Sequence, residues 1–400
     1  MTRITATYRV TSSMFLGGAE ENSLDTDIRV PSFKGALRFW WRAAALTRHQ
    51  GDWRAVRDEE LTLLGAAERS IGQSRVLMSL AGQENMDVSP TGSPLNSGLA
   101  YLAGQGLYHF RDQMTRPALQ PGKAFTLQLY LRRGVTAQQA DALIQALRLL
   151  GACGGLGART RRGLGSITLL HWEVNGERHT ETLTTQRDLL TETLTAAQPL
   201  APEPPYSAFS GGSRVLILKG TPKQSAEDLL EEVGQEMVRY RSYGQSARGG
   251  LNALNEPAEQ NFKDDHDLMY DASRSVAPTE SPERAVFGLP HNYFFSSSQP
   301  TVKAGVGPKR MNRRASPLLL HTQRRDGEPA AVVVTFLPAQ FLPPGEEITI
   351  DVRRRTWNVP PRSGAALWEP IHTFLDRLMG QETPRGARRM TIAEAMEVRP

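Results

Sequence analysis

Cysteine is nearly absent: the 400 residues contain one, Cys153. That excludes an internal disulfide and any zinc site built from several cysteines. Histidine is sparse, with eight in the whole chain. No run approaches the roughly 18 consecutive apolar residues of a membrane span. The N-terminal MTRITATYRV alternates polar and apolar residues without the apolar stretch of a secretory signal. A soluble, cytoplasmic protein with no membrane partner is expected. G-x-S-x-G, H-E-x-x-H and C-x-x-C are also missing, so these familiar hydrolase, zinc-protease and dithiol motifs offer no route to catalysis.

What is present is a modest basic excess, +5 from 47 basic and 42 acidic residues. An excess this small makes the placement of charge more informative than its sum. The 39% of hydrophobic residues can supply a core, and the length suits two or three domains.

Apolar periodicity gives a coarse map. Alternation over 3–10 predicts a strand. A Gly/Asn/Ser-rich loop (TSSMFLGGAEENS) follows, then a helix over 32–49 with Ser32 as its cap and Gly51 as its stop. Residues 53–69 read as helix, 75–80 as strand and 83–98 as a long loop. AFTLQLYLR (124–132) is a strand, Thr136 caps an Ala/Leu-rich helix, and SITLLHWEV closes with a strand. Strand, helix, strand, strand, helix, strand is the split β-α-β order, which RNA-recognition modules share without fold alone fixing function. Residues 1–178 are therefore expected to form a ferredoxin-like domain. APEPPYSAFSGG lies within 179–212, read as a linker. Residues 213–400 are expected to form a second, decorated ferredoxin-like domain. It would have a strand at 213–219, a helix near 224–241, strands near 316–321, 331–336 and 346–354, and a helix around 363–380.

Three segments concentrate positive charge. In the predicted helix 32–49, Phe33, Leu37, Trp40 and Ala44 form one face. Lys34, Arg38, Trp41 and Arg42 form another. The helix start, with Gly35 leaving backbone amides approachable, suits a phosphate. A solvated basic stripe is the plainer alternative. The second segment, GACGGLGARTRRGLGS (151–166), carries Arg159, Arg161 and Arg162 and no acid. It fits neither a P-loop nor a dinucleotide fingerprint. A glycine turn whose amides approach anionic oxygens is the reading preferred, against a turn that uses glycine only for positive φ. The third, VKAGVGPKRMNRRASPLLLH (302–321), has Lys303, Lys309, Arg310, Arg313 and Arg314 with no intervening acid. It suits salt-sensitive phosphate contact or a simple basic loop.

Catalytic candidates are thinner. Asp264, Asp265, His266 and Asp267 could in principle meet a divalent metal. Adjacent residues point in different directions, however, and structural hydrogen bonds or ion pairs explain them more simply. Glu20 and Glu21 give no defensible ligand spacing. Neither a metal nor another cofactor is expected.

Together, TSSMFLGGAEEN, IRVPSFKGALRFWWRA and GGLGARTRRGLGSI resemble the RAMP superfamily of CRISPR proteins. Within it they resemble the family of subunit one of the type III-B (Cmr) RNA-guided effector. Ile28, Arg29, Pro31, Ser32, Lys34, Gly35, Arg38, Trp40 or Trp41, and Arg42 occupy one motif. Gly154, Gly155, Gly157, Arg159, Arg162, Gly163, Gly165 and Ser166 occupy the glycine-rich hallmark. The resemblance is patchy over 213–400. It implies two ferredoxin-like domains in a ribonucleoprotein, with CRISPR RNA, target RNA and other Cmr subunits as partners. It also implies a place near the 3′ end of the CRISPR RNA and no active site. Lys34, Gly35, Arg38, Trp41 and Arg42 would meet RNA, with Trp41 stacking on a base. Gly157, Arg159, Thr160, Arg161, Arg162 and Gly163 would support its backbone, and Lys309, Arg310, Arg313 and Arg314 would add phosphate contacts. The alternative is a metal-independent CRISPR-RNA-processing endoribonuclease relying on His49, His109 or His266.

Overall fold

The computed structural model describes residues 2–17, 27–66, 72–82, 86–243, 250–295, 302–352, 355–364 and 366–400. Glu20 and Glu21 lie outside them. In chain order, the first elements are β1 (Thr2–Val10), α1 (Val30–Arg48), α2 (Trp53–Leu64), β2 (Val76–Ala81), α3 (Ser97–Ala103), β3 (Ala124–Leu131), α4 (Ala137–Cys153), β4 (Ile167–Val174), β5 (Glu177–Thr180) and α5 (Leu183–Ala197). There follow β6 (Arg214–Lys219), α6 (Ala226–Arg241), α7 (Lys263–Ser273), β7 (His291–Phe295), β8 (Val302–Pro308), β9 (Leu318–Gln323) and β10 (Ala331–Phe336). The last are β11 (Ile348–Val352), β12 (Arg355–Val359), α8 (Glu369–Leu378) and β13 (Glu394–Val398).

Two compact units are distinguished. The first holds Met1–Glu231, Leu319–Leu337 and Thr391–Pro400; the second holds Glu232–Leu318 and Pro338–Met390. The chain thus leaves the first unit and returns to it twice. This division differs from the expected boundary at 179–212. That stretch, read as a linker, holds the end of β5 and the 15-residue helix α5. Thr182 caps α5 in a reciprocal box with Thr185, and Leu189, Leu190 and Leu194 enter the core. Threonine-rich LTTQRDLLTETLTAA has low intrinsic helix propensity, so burial of its apolar side decides the outcome.

The first sheet runs β2-β3-β1-β4-β5. Its pairings are antiparallel, with Ile4 opposite Leu129, Ala6 opposite Leu127 and Tyr8 opposite Phe125. Alternation places Ile4, Ala6, Tyr8 and Val10 on the buried face, as the period of two requires. Tyr8 is fully buried, so its hydroxyl needs a partner and donates to the Leu147 carbonyl of α4 at 2.9 Å. Phe33 of α1 packs against the Tyr8 ring with centroids 5.5 Å apart. The expected strand and helix order is found, with Thr136 and Gln139 forming a capping box on α4.

A second sheet in the same unit runs β9-β10-β6-β13. β6 pairs antiparallel with β10 and β13. All six residues of β9 and all six of β10 are buried. The second unit carries an antiparallel sheet β7-β8-β11-β12 with α7 and α8. Within that unit the fully buried Arg377 is held by Glu236 and Glu259, both ion pairs within 2.6 Å. A buried guanidinium needs such pairing to offset its lost hydration.

Candidate nucleic-acid interface

Helix α1 starts at Val30, two residues before the expected cap. Arg29 occupies the N-cap without a side-chain hydrogen bond, Pro31 lies in the first turn, and no acid neutralises that turn. Ser32 is therefore inside the helix. The N-terminal amides have no side-chain cap, and Lys34 and the exposed Gly35 sit beside them. A side chain on Gly35 would meet nothing within 4 Å, so this end of α1 is open. Partial burial and the neighbouring Arg38 lower the Lys34 ammonium from its usual range.

Trp40 and Trp41 are both buried, at 2% and 0% exposure. The expected outward orientation of Trp41 is corrected. Helix α1 is in contact with α2, α4 and α5, so its buried arc is wider than a single stripe. The Arg48 guanidinium lies 5.3 Å from the Trp41 ring, and Phe209 comes within 6.3 Å of Trp40. The aromatic left half-exposed on α1 is Phe39.

Arg38 and Arg42 also have a partner that the sequence did not disclose. Both donate to the same Glu60 oxygen of α2 at 2.6 Å, and Glu60 is only 4% exposed. Arg38 also donates to the Gly65 carbonyl at 3.1 Å. Two positive charges therefore share one buried carboxylate, and the flank is less basic than its sequence suggests.

The glycine-rich turn follows α4 directly. Most of its glycines are required by packing. A Cβ on Gly151 would lie 2.5 Å from the Leu169 Cβ, one on Gly154 would strike Trp40, and one on Gly155 the Gly165 carbonyl. Gly157 and Gly165 have φ of +89° and +69° and abut the Phe15 and Leu156 carbonyls. Gly163, also at positive φ, is buried against Leu230 and Leu320. The reading of these glycines as openings for an anion is corrected for all but the exposed Gly157.

The turn is pinned by the hydroxyl run after β1. Ser12 Oγ donates to the Gly163 carbonyl at 2.6 Å and accepts from the Ser166 amide at 2.9 Å. Thr11 donates to the Thr322 carbonyl at 2.7 Å, and the Ala158 amide donates to the Phe15 carbonyl at 2.8 Å. TSSMF thus holds the turn in place. A hydroxyl run between a strand and an apolar MFL is the signal that could have identified it.

What the turn presents outward is Arg159, exposed, with Thr160, Arg161 and Arg162 half-exposed. The Arg161 guanidinium lies 5.2 Å from the Phe39 ring centroid. Helix α1 and the turn, about 120 residues apart in sequence, therefore meet. They share the walls of a cavity of about 140 Å³. The helix supplies Ala36, Phe39 and Trp40, and the turn supplies Gly154, Gly155, Thr160 and Arg161. Behind it His321, 0% exposed, bonds through Nδ1 to the Gly154 carbonyl at 2.6 Å.

The stretch 309–314 belongs to the second unit and is largely neutralised there. Lys309 pairs with Glu347 at 2.6 Å and Arg310 with Glu346 at 3.2 Å. Arg314 donates to the Phe341 and Ala315 carbonyls, and burial lowers its guanidinium from the usual range. Arg313 is exposed. The acidic run 264–267 is in helix α7. Asp265 is buried and accepts the Glu283 and Arg284 amides at 2.6 and 2.9 Å, while Asp267 pairs with Lys263. Among the described residues no group of three or more His, Cys, Asp or Glu is placed to hold a metal. His49 lies 2.7 Å from Glu59, His109 2.9 Å from Asp112, and His266 stacks on Tyr243 at 3.8 Å. No helix among the described residues is long and apolar enough to cross a membrane.

The family model described as "RAMP superfamily" matches residues 7–168. No curated protein matches the sequence. Among solved structures, the chain is similar to Cmr1 from Pyrococcus furiosus in its apo form. The identity is 18%, covering 100% of this chain and 99% of that one, with a TM-score of 0.49. A chain of the type III-B Cmr-beta complex bound to cognate target RNA is 9% identical, covering 84% and 94%, at 0.43. A chain of a type IV-B CRISPR complex is 18% identical, covering 45% and 93%, at 0.29. The match extends from β1 through α1 and the glycine-rich turn to the start of β4, and over residues 7–168 the chain is similar to the RAMP superfamily.

Proposed function

We propose that the chain is a non-catalytic, RNA-binding structural subunit of a type III-B CRISPR (Cmr) effector. It helps hold the 3′ region of the CRISPR RNA and capture target RNA alongside other Cmr subunits in the cytoplasm. The two four-strand sets β2-β3-β1-β4 and β9-β10-β6-β13 are read as two ferredoxin-like modules. Each has the strand order expected of β-α-β-β-α-β. Sequence specificity would reside in guide pairing, and this chain would grip backbone and unstacked bases.

The observation that carries the reading is the convergence of α1 and the glycine turn on one cavity, with Lys34 and Arg159 nearby on the same two segments. Single-stranded RNA is held by cations along its backbone and planar groups beneath its bases. Lys34 and Arg159 are the principal phosphate contacts in this reading, and Arg161 and Arg162 adjoin them on the turn. Arg38 and Arg42 contribute less because Glu60 already holds them. Arg313 is the outward cation of the other basic stretch.

Replacing Lys34 and Arg159 together by alanine is expected to weaken single-stranded RNA binding. It should also lower the slope of log K against log salt by about 1.4, roughly 0.7 per lost phosphate contact. Helical content should be unchanged. A double variant with the wild-type slope sinks the reading.

A further inference from the structure

The cavity between α1 and the glycine-rich turn has features that phosphate binding does not use. Its volume of about 140 Å³ gives room for one planar ring system rather than a folded sugar-phosphate chain. Phe39 lines it, half-exposed, with Trp40 edge-on at 5.1 Å and an interplanar angle of 89°. The Arg161 guanidinium lies over the Phe39 ring. Bases leave their stack for aromatic rings and for arginine planes alike.

The backbone of Gly154 and Gly155 is part of the lining, beside Cys153 and Leu319. Gly154 lies so close to Trp40 that a Cβ would strike the indole. Gly155 faces Ser166 in an antiparallel bridge whose bond runs from the Leu156 amide to the Gly165 carbonyl. That makes Gly155 and Ser166 a non-hydrogen-bonded pair, in which the amide and carbonyl of Gly155 point away from Ser166. A donor and an acceptor on one glycine, with the Thr160 hydroxyl nearby, match the alternating edge of a nucleobase. Arg161 is the one charged lining residue. A phosphate would have to shed its water against apolar walls, whereas a neutral base loses little by entering.

We propose that this cavity takes one unstacked nucleobase of a single-stranded RNA. Phe39 and Arg161 supply the stacking planes, and Gly155 and Thr160 read the base edge. This deepens the RNA-binding reading and rests on it.

The test uses the full chain, an oligouridylate, and an abasic ribose-phosphate oligomer of equal length. The wild type should bind the oligouridylate about tenfold more tightly than the abasic oligomer. Ala36→Leu fills the cavity without changing charge. It should abolish most of that preference while leaving abasic binding and the salt slope as they were. If Ala36→Leu keeps the preference, the base pocket is overturned and the RNA-binding reading stands. If the wild type binds neither oligomer, both fall. Should Ala36→Leu melt early, photocrosslinking of a 4-thiouridine oligomer to the wild type decides. Adducts on Phe39 or on the peptide Cys153–Arg161 support the pocket, and adducts confined to other peptides overturn it.

Discussion

Trp41 and Phe39, two positions apart on α1, have opposite surroundings. Trp41 is 0% exposed, whereas Phe39 is half-open beside the cavity. A large ring enclosed on all sides gains several kilocalories from burial, and its removal leaves a void the helix cannot close. Trp41→Ala should therefore cost about 3–5 kcal/mol, read as a lowered denaturation midpoint. Trp40→Ala should cost a similar amount. RNA affinity per folded molecule should not change for Trp41→Ala. A specific loss of RNA binding with unaltered stability would restore the stacking role that sequence reasoning gave Trp41. A helical projection identified Phe33, Leu37 and Trp40 correctly as core. It assigned Trp41 outward because one stripe was assumed to face one neighbour, and the coverage by α2, α4 and α5 is not written in the local periodicity.

Among the elements, α2 governs what α1 can offer. Its Glu60 sits under both Arg38 and Arg42, holding them away from any anion. In Glu60→Gln the two guanidinia lose their shared counter-charge. Non-specific RNA binding is expected to strengthen and its salt dependence to steepen, at a stability cost of about 1–3 kcal/mol for the broken buried charge-assisted bonds. Titrations at two salt concentrations, with a denaturant curve, check both halves. The glycine turn has the reverse logic, because its shape comes before its charge. Gly165 holds φ at +69° with the Leu156 carbonyl where a Cβ would go. Gly165→Ala should destabilise by more than about 1 kcal/mol, measured by urea unfolding. Sequence made the α1 basic stripe and the glycine turn visible as separate basic segments. That Glu60, rather than its neighbour Glu59, reaches the stripe depends on how α1 and α2 pack. That the glycines answer to Phe15, Leu169 and Trp40 depends on contacts far along the chain. The linker reading failed for a similar reason, since α5 is stabilised by tertiary burial rather than by propensity.

For the whole molecule, acid sensitivity should be concentrated in a residue no motif singled out. Burial above all, with the nearby Arg325 adding to it, pushes the His321 imidazole from 6.5 down to about 3. Its folded-state value is depressed, so the unfolded chain binds the extra proton. The contribution is complete above pH 6.5 and is lost as pH falls from there toward 3. The slope from this group is roughly 1.4 kcal/mol per pH unit well below 6.5. Chemical denaturation from pH 7 to pH 4 should show this loss, and His321→Gln should show a shallower one across the same range. Identical slopes in the two proteins would remove His321 as the cause.

The second sheet of the first unit also constrains the order in which the protein can be made. The first sheet has all its strands once residue 180 has left the ribosome. By contrast β6, whose Val215, Leu216, Ile217 and Leu218 are all buried in the finished protein, emerges with neither neighbour available. One arrives with Ala331–Phe336, after the first excursion of the chain, and the other only with Glu394–Val398. Until the first of these arrives the apolar strand has both edges open, and until the second arrives one edge stays open, the condition under which nascent chains find wrong partners. The strand Glu394–Val398, pairing Leu216 with Glu397 and Leu218 with Ala395, therefore acts as the closing seam of this sheet.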